Sequence, residues 1–197
     1  MRPIIEAHLV DAEGSAARIQ LATIDRVSTT DPIGMSLGEG KALLAAAQQY
    51  LVYSQCQGIG SAHAHCGRCD ARLGLKGWHQ RQIKTVFGLV NVQSPRVRHC
   101  RCANKPARAS FSPLMLVVPT SMTSELEYLQ VKWAAHLSYA VATASLSEIL
   151  PTADIISVSG VQRRVRVVGA VLENESSRAA LSATGRSMIR NLLSWPL

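Results

Sequence analysis

The amino-acid sequence predicts an α+β fold for this chain of 197 residues. Segments with the period-two alternation of β-strands occur near the N-terminus and in the middle of the chain. Apolar residues at helical spacing dominate the stretch that follows residue 123. Hydrophobic residues make up 47% of the composition, which is enough to bury a core and excludes wholesale disorder. The length fits one domain of ordinary size or two small ones.

The N-terminal region, residues 1–55, is predicted to contain two strands and a helix. The segments "IIEAHLV" and "ARIQLATIDRV" flank the turn-forming "DAEGS", so residues 3–27 should form short strands around a turn. Ser36 and Glu39 have the spacing of a capping box, and apolar residues recur after them at helical intervals. We therefore expect a helix over residues 37–55, followed by the glycine-rich "QGIGSA".

The central region, residues 56–112, is predicted to form a β-hairpin. The segment "KTVFGLVNV" alternates as a strand, and Ser94 and Pro95 are turn-forming residues. The segment "RVRHCRC" alternates again and would be the returning strand, which carries Cys100 and Cys102. The proline-spaced "SFSPLMLVVP" is expected to connect this hairpin to the next region.

The region over residues 113–175 is predicted to be helical. Ser124 and Glu127 have capping-box spacing at the start of an amphipathic stretch, which predicts a helix over residues 123–139. A second helix, "VATASLSEIL", should stop before Pro151, because the residue before a proline disfavours helical geometry.

A third helix is expected from Ser157, where the sequence reads as helix, proline-containing turn and helix. Its predicted core-facing stripe consists of Val158, Val161, Val165, Val168 and Leu172. Helix-turn-helix proteins use the polar face of such a helix to contact DNA, whereas a packing or dimerisation helix with solvated arginines has the same pattern. The candidate DNA contacts on this helix are Gln162, Arg163, Arg164 and Arg166.

The net charge of +8 is concentrated in one segment. From Cys66 to Arg108 there are ten Lys or Arg and one acid, Asp70, whereas the rest of the chain has eleven bases and twelve acids. This concentration is typical of a surface that binds nucleic-acid phosphates, although a solvated basic face without a partner has the same composition. The candidate DNA contacts in this segment are Arg68, Arg72, Lys76, Arg81, Lys84, Arg96, Arg98 and Arg101.

Four of the five cysteines form two close pairs, Cys66 with Cys69 and Cys100 with Cys102. Two such pairs at the ends of a hairpin fit a tetrahedral four-thiolate site, which predicts a structural Zn²⁺ ion in a zinc-ribbon-like hairpin. A catalytic zinc would need a nearby general base, and Asp70 is the only carboxylate in the segment. We therefore expect the ion to be structural.

Three other interpretations of the cysteines remain open. They are ordinary buried residues, disulfide partners, or a redox pair formed by Cys66 and Cys69, although no βαβ pattern surrounds that pair. His65 and His99 each precede a cysteine and are alternative ligands. Cys56 lies outside the pairs and is expected to be packed in the core.

The protein is expected to be cytoplasmic. Its first residues, "MRPIIEAHLVDAEG", lack the continuous apolar stretch of a signal peptide, and the later run "LMLVV" is too short to span a membrane.

Taken together, these motifs resemble the amino-terminal half of Kra-type insertion-sequence transposases (the ISKra family). The resemblance covers roughly residues 5–175 and runs through "GMSLGEGKALLAAAQQYLV", "HCGRCD", "LKGWHQRQIKTVFGLVNVQSPRVRHCRC", "FSPLMLVVPTSMTSELEYLQVKWAAHLSYAVATASLSEILP" and "VQRRVRVVG". It implies a protein that binds double-stranded DNA at the ends of a mobile element. The implied zinc ligands are Cys66, Cys69, Cys100 and Cys102.

The sequence departs from this family at two places. In the family, a catalytic domain of the DDE type follows, in which three carboxylates bind two divalent metals. Residues 176–197 contain no Asp or Glu, so we expect an atypical, disordered tail on a truncated transposase that binds DNA without catalysing strand transfer. We assign no catalytic residue, and the chain as it stands is predicted not to be an enzyme. Asp70 occupies a position where the family usually has glycine.

Two further functions are consistent with the sequence. The chain could be a zinc-stabilised interaction module or regulator that forms homodimers or associates with a full-length transposase through its helical half. A redox enzyme using Cys66 and Cys69 is the third hypothesis, and it requires a thiol with a lowered pKa.

Overall fold

The computed structural model describes residues 2–10, 14, 16–25, 33–103, 106, 109–152 and 155–181, with the backbone alone at residue 16 and over residues 176–181. It confirms the α+β class. The elements in chain order are β1 (Ile4–Val10), β2 (Ala16–Thr23), α1 (Leu37–Ala62), β3 (Leu75–Thr85), β4 (Gly88–Arg98), β5 (Ser110–Phe111), α2 (Leu114–Val117), α3 (Ser124–Ala134), α4 (Tyr139–Ile149) and α5 (Val158–Leu181).

The two N-terminal strands are confirmed as an antiparallel pair. β1 and β2 form a two-stranded sheet in which Ile4 pairs with Thr23 and Val10 pairs with Ala16. Side chains along β1 alternate between half-buried and exposed, which is the pattern of a strand with one covered face. Most of the predicted turn between them lies outside the described residues.

Helix α1 starts at the predicted capping box but ends later than predicted. The Ser36 hydroxyl accepts a hydrogen bond from the Glu39 amide at 3.2 Å, and the Glu39 carboxylate accepts one from the Ser36 amide at 2.8 Å. The helix continues through Gly58 and Gly60 to Ala62. The prediction that it ends near residue 55 was wrong because packing against the central sheet outweighs the low helix propensity of glycine, about 1 kcal/mol per residue.

The central hairpin is confirmed, but the predicted position of its turn is wrong. The chain reverses between Thr85 and Gly88, inside the segment predicted to be one strand. The Thr85 hydroxyl donates to the Gly88 carbonyl at 2.8 Å and accepts from the Phe87 amide at 3.2 Å. Gly88 has φ of +113°, a conformation that glycine adopts far more readily than other residues, and this fixes the turn here.

Ser94 and Pro95, the predicted turn residues, lie inside β4 and are buried. The Ser94 and Ser112 hydroxyls hydrogen-bond at 2.6 Å, which satisfies a polar group with no access to solvent. The Pro95 ring lies 3.4 Å from the position that a β-carbon on Gly60 would occupy, so glycine permits close contact between α1 and β4. A proline is tolerated within β4 because β5 pairs only with Val97 and Arg98.

Two hydrophobic clusters share this hairpin. The first cluster joins α1, the hairpin and α2, and consists of Val52, Cys56, Ile83, Val90, Val92 and Leu114. The second surrounds the hairpin turn and consists of Val86, Leu126, Leu146, Ile155 and Ile156. Because α1 contributes to the first cluster and crosses residue 55, the N-terminal helix and the hairpin have a common core.

The helical region has the predicted number of long helices with different ends. α3 begins at Ser124, but its N-cap is Thr123 and no side-chain capping bond forms, so the predicted box of Ser124 and Glu127 is wrong. α3 ends at Ala134, because Ser138 caps a new helix, α4, by accepting a hydrogen bond from an amide in its first turn. α4 ends at Ile149, which confirms the predicted stop before the proline.

Helix α5 is confirmed, with its stripe buried only near the start. Val161 is fully buried, whereas Val158 and Leu172 are 45% and 48% exposed. The backbone of residues 176–181 continues this helix, and the rest of the predicted tail lies outside the described residues. None of the helices in the described part of the chain combines the length and apolar character needed to cross a membrane.

An ion pair joins the first and last of the three long C-terminal helices. The Arg164 guanidinium on α5 lies 2.9 Å from the Glu127 carboxylate on α3, and the two side chains are only 19% and 27% exposed. Partial burial reduces solvent screening, so this ion pair should contribute more to the free energy of unfolding than a fully exposed pair does.

We predict that Arg164→Gln lowers the free energy of unfolding by about 1 kcal/mol, because the half-buried Glu127 carboxylate loses its partner. Urea denaturation of the single variants Glu127→Gln and Arg164→Gln and of the double variant measures the coupling. Arg163→Gln is the matched control, since Arg163 is exposed on the same helix. A double-mutant cycle with no coupling energy would contradict the prediction.

Candidate metal centre

The structure brings the four paired cysteines into one cluster. The Sγ atoms lie 3.5 Å apart for Cys66 and Cys102, 3.4 Å for Cys69 and Cys100, and 3.6 Å for Cys69 and Cys102. All four sulfurs lie within 4.8 Å of one another. Four sulfurs at about 2.3 Å from a tetrahedral ion would be about 3.8 Å apart, so the cluster has the dimensions needed to hold one metal ion.

The first cysteine pair lies on a tight turn that follows α1. The Cys66 amide donates to the Ala71 carbonyl at 2.9 Å, and the Asp70 amide donates to the Cys66 carbonyl at 2.9 Å. An antiparallel bridge between His65 and Arg72 closes the base of this turn. The backbone hydrogen bonds therefore fix the position from which both thiols of this pair point to the cluster.

The second cysteine pair lies just past β4, not within a strand as predicted. Cys102 belongs to a 3₁₀ turn, Arg101–Ala103, in which the Ala103 amide donates to the Cys100 carbonyl at 3.0 Å. The end of β4 is held beside the first turn, because the Arg98 amide donates to the Gly74 carbonyl at 2.8 Å. In this arrangement the sulfurs of Cys100 and Cys102 both lie within the cluster.

Backbone amides favour ionisation of the Cys66 thiol, the first of this cluster. Hydrogen bonds from the Arg68 and Cys69 amides lower the pKa of the Cys66 thiol to about 6. Hydrogen bonding of Cys102 to Cys66 and to the other sulfurs raises the pKa of the Cys102 thiol to about 12, because a second thiolate would lie against the first. A bound cation removes this repulsion and allows all four sulfurs to act as thiolates.

Asp70 ends the first turn in an unusual backbone conformation. Its φ of +53° lies in the left-handed region, and Asp70 is the only residue other than glycine with positive φ in the described part of the chain. Glycine is the residue best suited to this geometry, and Asp and Asn tolerate it better than other side chains. The left-handed geometry at this position therefore suits glycine and accommodates aspartate.

The other interpretations of the cysteines fare differently in the structure. All five cysteines are free thiols, so no disulfide forms. The group of candidate ligands in the described residues includes neither histidine that precedes a cysteine. His99 stacks on Phe111 with ring centroids 4.9 Å apart. Cys56 is packed in the first hydrophobic cluster as predicted, and burial raises the pKa of its thiol.

Six of the predicted DNA contacts lie on the elements that carry or adjoin the cysteine cluster. They lie on the first cysteine turn, at the start of β3, at the end of β4 and in the 3₁₀ turn. All six side chains are exposed: Arg68, Arg72, Lys76, Arg96, Arg98 and Arg101. Lys105 and Arg108, which also contribute to the charge of the segment, lie outside the described residues.

Three other predicted DNA contacts make contacts within the protein. The Arg81 guanidinium donates to the carbonyls of Val118 and Thr120, and burial lowers its pKa. The Lys84 ammonium donates to the Ile155 carbonyl at 2.7 Å, and Arg164 pairs with Glu127. Arg81 and Lys84 join the hairpin to the chain that follows it, and Arg164 joins α5 to α3. On α5, Arg163 and Arg166 are exposed and Gln162 is half-buried.

Because the hairpin turn was predicted at the wrong position, one further group of residues was not predicted from the sequence, namely four carboxamides that face one another across β3 and β4. With the reversal at residues 86–87, Gln80 lies opposite Gln93 and Gln82 lies opposite Asn91 in the β3–β4 ladder. All four side chains are exposed on the face away from the core. The available sequence signal was the glycine after "TVF", which marks a tight turn and sets the register of both strands.

Comparisons of the chain with protein-family models, with curated proteins and with solved structures find no match in any of the three.

We predict that Asp70→Val lowers the stability of the metal-loaded protein by about 1–2 kcal/mol, because a β-branched side chain is strained in the left-handed region. Asp70→Asn is the matched control, since it keeps the tolerance for positive φ and removes only the charge. Asp70→Gly should be at least as stable as the parent. Thermal unfolding of the three variants at saturating zinc checks this, and equal melting of Asp70→Val and Asp70→Asn would contradict it.

Proposed function

We propose that this chain is a zinc-stabilised protein that binds double-stranded DNA, acting as the end-recognising part of a Kra-type insertion-sequence transposase. The observation that carries the proposal is the arrangement of six exposed bases around the cysteine cluster, with Asp70 as the only acid in the segment. A polyanion is the partner that such a surface attracts most strongly.

The cluster favours zinc over other ions because all four candidate ligands are cysteine sulfurs, which bind as soft thiolates, and they lie within 4.8 Å of one another. Four protein ligands also fill the coordination sphere, so the ion would have no open position for substrate or water. We therefore assign it a structural role. The residues around it supply backbone hydrogen bonds and positive charge, and we assign DNA recognition to them and no step of strand cleavage.

A redox role for the first cysteine pair has less support. The short sulfur–sulfur distances join Cys66 to Cys102 and Cys69 to Cys100, across the two pairs. A dithiol that cycles through a disulfide brings its own two sulfurs together, whereas a metal site brings together all four.

The helical region supports DNA binding through a second basic surface. α4 and α5 follow one another across a turn, and Arg163 and Arg166 are exposed on α5. This helical unit packs on the turn end of the hairpin, and the cysteine cluster lies at the other end. The eleven residues of β3 span roughly 35 Å, which is close to one helical turn of DNA. Two separated contact regions on a duplex of that length fit the recognition of a transposon end.

We predict one zinc per chain by elemental analysis of protein purified without chelator. Cys100→Ser should lose the metal and unfold the cysteine end of the hairpin, because the binding free energy of a structural zinc is largely folding free energy. Cys56→Ala is the control and should keep stoichiometric zinc, since Cys56 lies in the core. A parent protein that keeps its melting temperature after complete chelation would overturn the assignment.

We predict that affinity for a duplex carrying the element's terminal repeats falls steeply as salt concentration rises. Arg96→Gln should weaken binding and reduce the slope of log K against log salt by about 0.9, the value for one lost phosphate contact. Arg18→Gln, an exposed change on β2, is the control and should leave the slope unchanged. Salt-independent binding, or equal slopes for both variants, would reject the proposal.

A further inference from the structure

The outer face of the β3–β4 hairpin carries four carboxamide side chains in two facing pairs. Gln80 lies opposite Gln93, and Gln82 lies opposite Asn91. Residues directly opposite one another in an antiparallel ladder project from the same face, so the four amides form one polar surface. Ile83, Val90 and their neighbours fill the opposite face.

Four carboxamides are an unusual composition for the exposed face of two paired strands. Strands favour β-branched and aromatic residues on their exposed faces, and asparagine is disfavoured there. None of the four side chains makes a hydrogen bond within the described part of the protein, so their donors and acceptors are available to a ligand. The side chain of Gln49 on α1 donates to the Asn91 backbone carbonyl at 3.3 Å, which leaves the Asn91 amide group exposed.

We propose that this face, Gln80, Gln82, Asn91 and Gln93, reads adenine bases in the major groove of DNA. The inference rests on the proposed DNA-binding function and specifies which residues select the sequence. The NH2 group of a carboxamide donates a hydrogen bond to adenine N7, and its oxygen accepts one from the adenine N6 amino group, so one side chain makes two hydrogen bonds to one base. The major groove is wide enough to admit a two-stranded β-ribbon.

The spacing of the amides matches the spacing of base pairs. Residues two apart on one strand are about 6.8 Å apart, since a strand rises about 3.4 Å per residue. Base pairs also rise about 3.4 Å, so Gln80 and Gln82 reach bases two steps apart. Their partners Gln93 and Asn91 lie beside them at the same heights. The two pairs of amides are therefore separated by about the distance between every second base pair of the duplex.

The charge around this face is complementary to DNA. The hairpin from Leu75 to Arg98 contains no Asp or Glu, so no carboxylate opposes a phosphate. The exposed Arg96 and Arg98 continue β4 beyond the amides and can contact the backbone beside the groove. Trp78, which is 54% exposed, precedes Gln80 by two residues on the same strand and offers an apolar surface to a thymine methyl group.

The test compares three alternating duplexes of equal length, poly(dA-dT), poly(dI-dC) and poly(dG-dC), at one salt concentration. An inosine–cytosine pair has the major-groove pattern of guanine–cytosine and the minor-groove pattern of adenine–thymine, so the set separates the two grooves. The parent protein should bind poly(dA-dT) about tenfold more tightly than either other duplex, which corresponds to about 1.4 kcal/mol. Equal binding of poly(dA-dT) and poly(dI-dC), both tighter than binding of poly(dG-dC), would indicate minor-groove recognition and overturn the inference.

The variant Gln80→Val/Gln93→Val removes one facing pair and keeps residues that favour strands. It should retain zinc, thermal stability and the salt dependence of binding, and lose the preference for poly(dA-dT). Gln55→Ala, an exposed change on α1, is the control and should keep the preference. If the double variant unfolds, Gln82→Thr tests the second pair at a single position and should reduce the preference in the same way.

The outcome also distinguishes this inference from the proposed function. If the parent protein binds none of the three duplexes, DNA binding itself is rejected. Salt-dependent binding of equal strength to all three would support DNA binding and reject base reading by the amides. A preference that persists in both amide variants would assign the reading to another surface and likewise reject the inference.

Discussion

The convergence of four thiols at one end of the central hairpin is the constraint on which the rest of the molecule depends. None of the residues from 61 to 80 is buried, so the turn that carries Cys66 and Cys69 has no hydrophobic core of its own. Backbone hydrogen bonds shape this turn, and the bond from the Arg98 amide to the Gly74 carbonyl holds the end of β4 beside it. A shared cation would join the two cysteine turns directly, as structural metals commonly do in segments too small to bury enough apolar surface.

The hairpin transmits this constraint to the remainder of the fold. Its middle packs on α1, and its turn lies in the core of the helical region through Val86. Arg81 and Lys84 strengthen the second junction by donating to backbone carbonyls of other elements. The position of α5 relative to the cysteine cluster thus depends on a single pair of hydrogen-bonded strands, which would set the distance between the two proposed DNA-binding surfaces.

The proposed functions of the basic and amide residues divide in a physically reasonable way. Positive side chains contact phosphates whatever the sequence, so the bases around the cysteines would position the protein on DNA and contribute most of the affinity. Carboxamides form paired hydrogen bonds with a particular base, so the outer face of the hairpin would supply the selectivity. Both surfaces are extensions of the same two strands, and the metal centre would therefore orient them together.

The sequence alone determined the fold class, the two-stranded N-terminal sheet, the start of α1 and the membership of the cysteine cluster, because capping, alternation and ligand spacing are local properties. Local propensity failed at the hairpin turn, where Ser94 and Pro95 are good turn formers but Gly88 and the Thr85 hydroxyl determine the reversal. Charge also did not reveal that Arg81 is an internal contact. The position of the turn and the contacts of Arg81 depend on which surfaces pack together, because burial and the distances between side chains are defined only once the chain is folded.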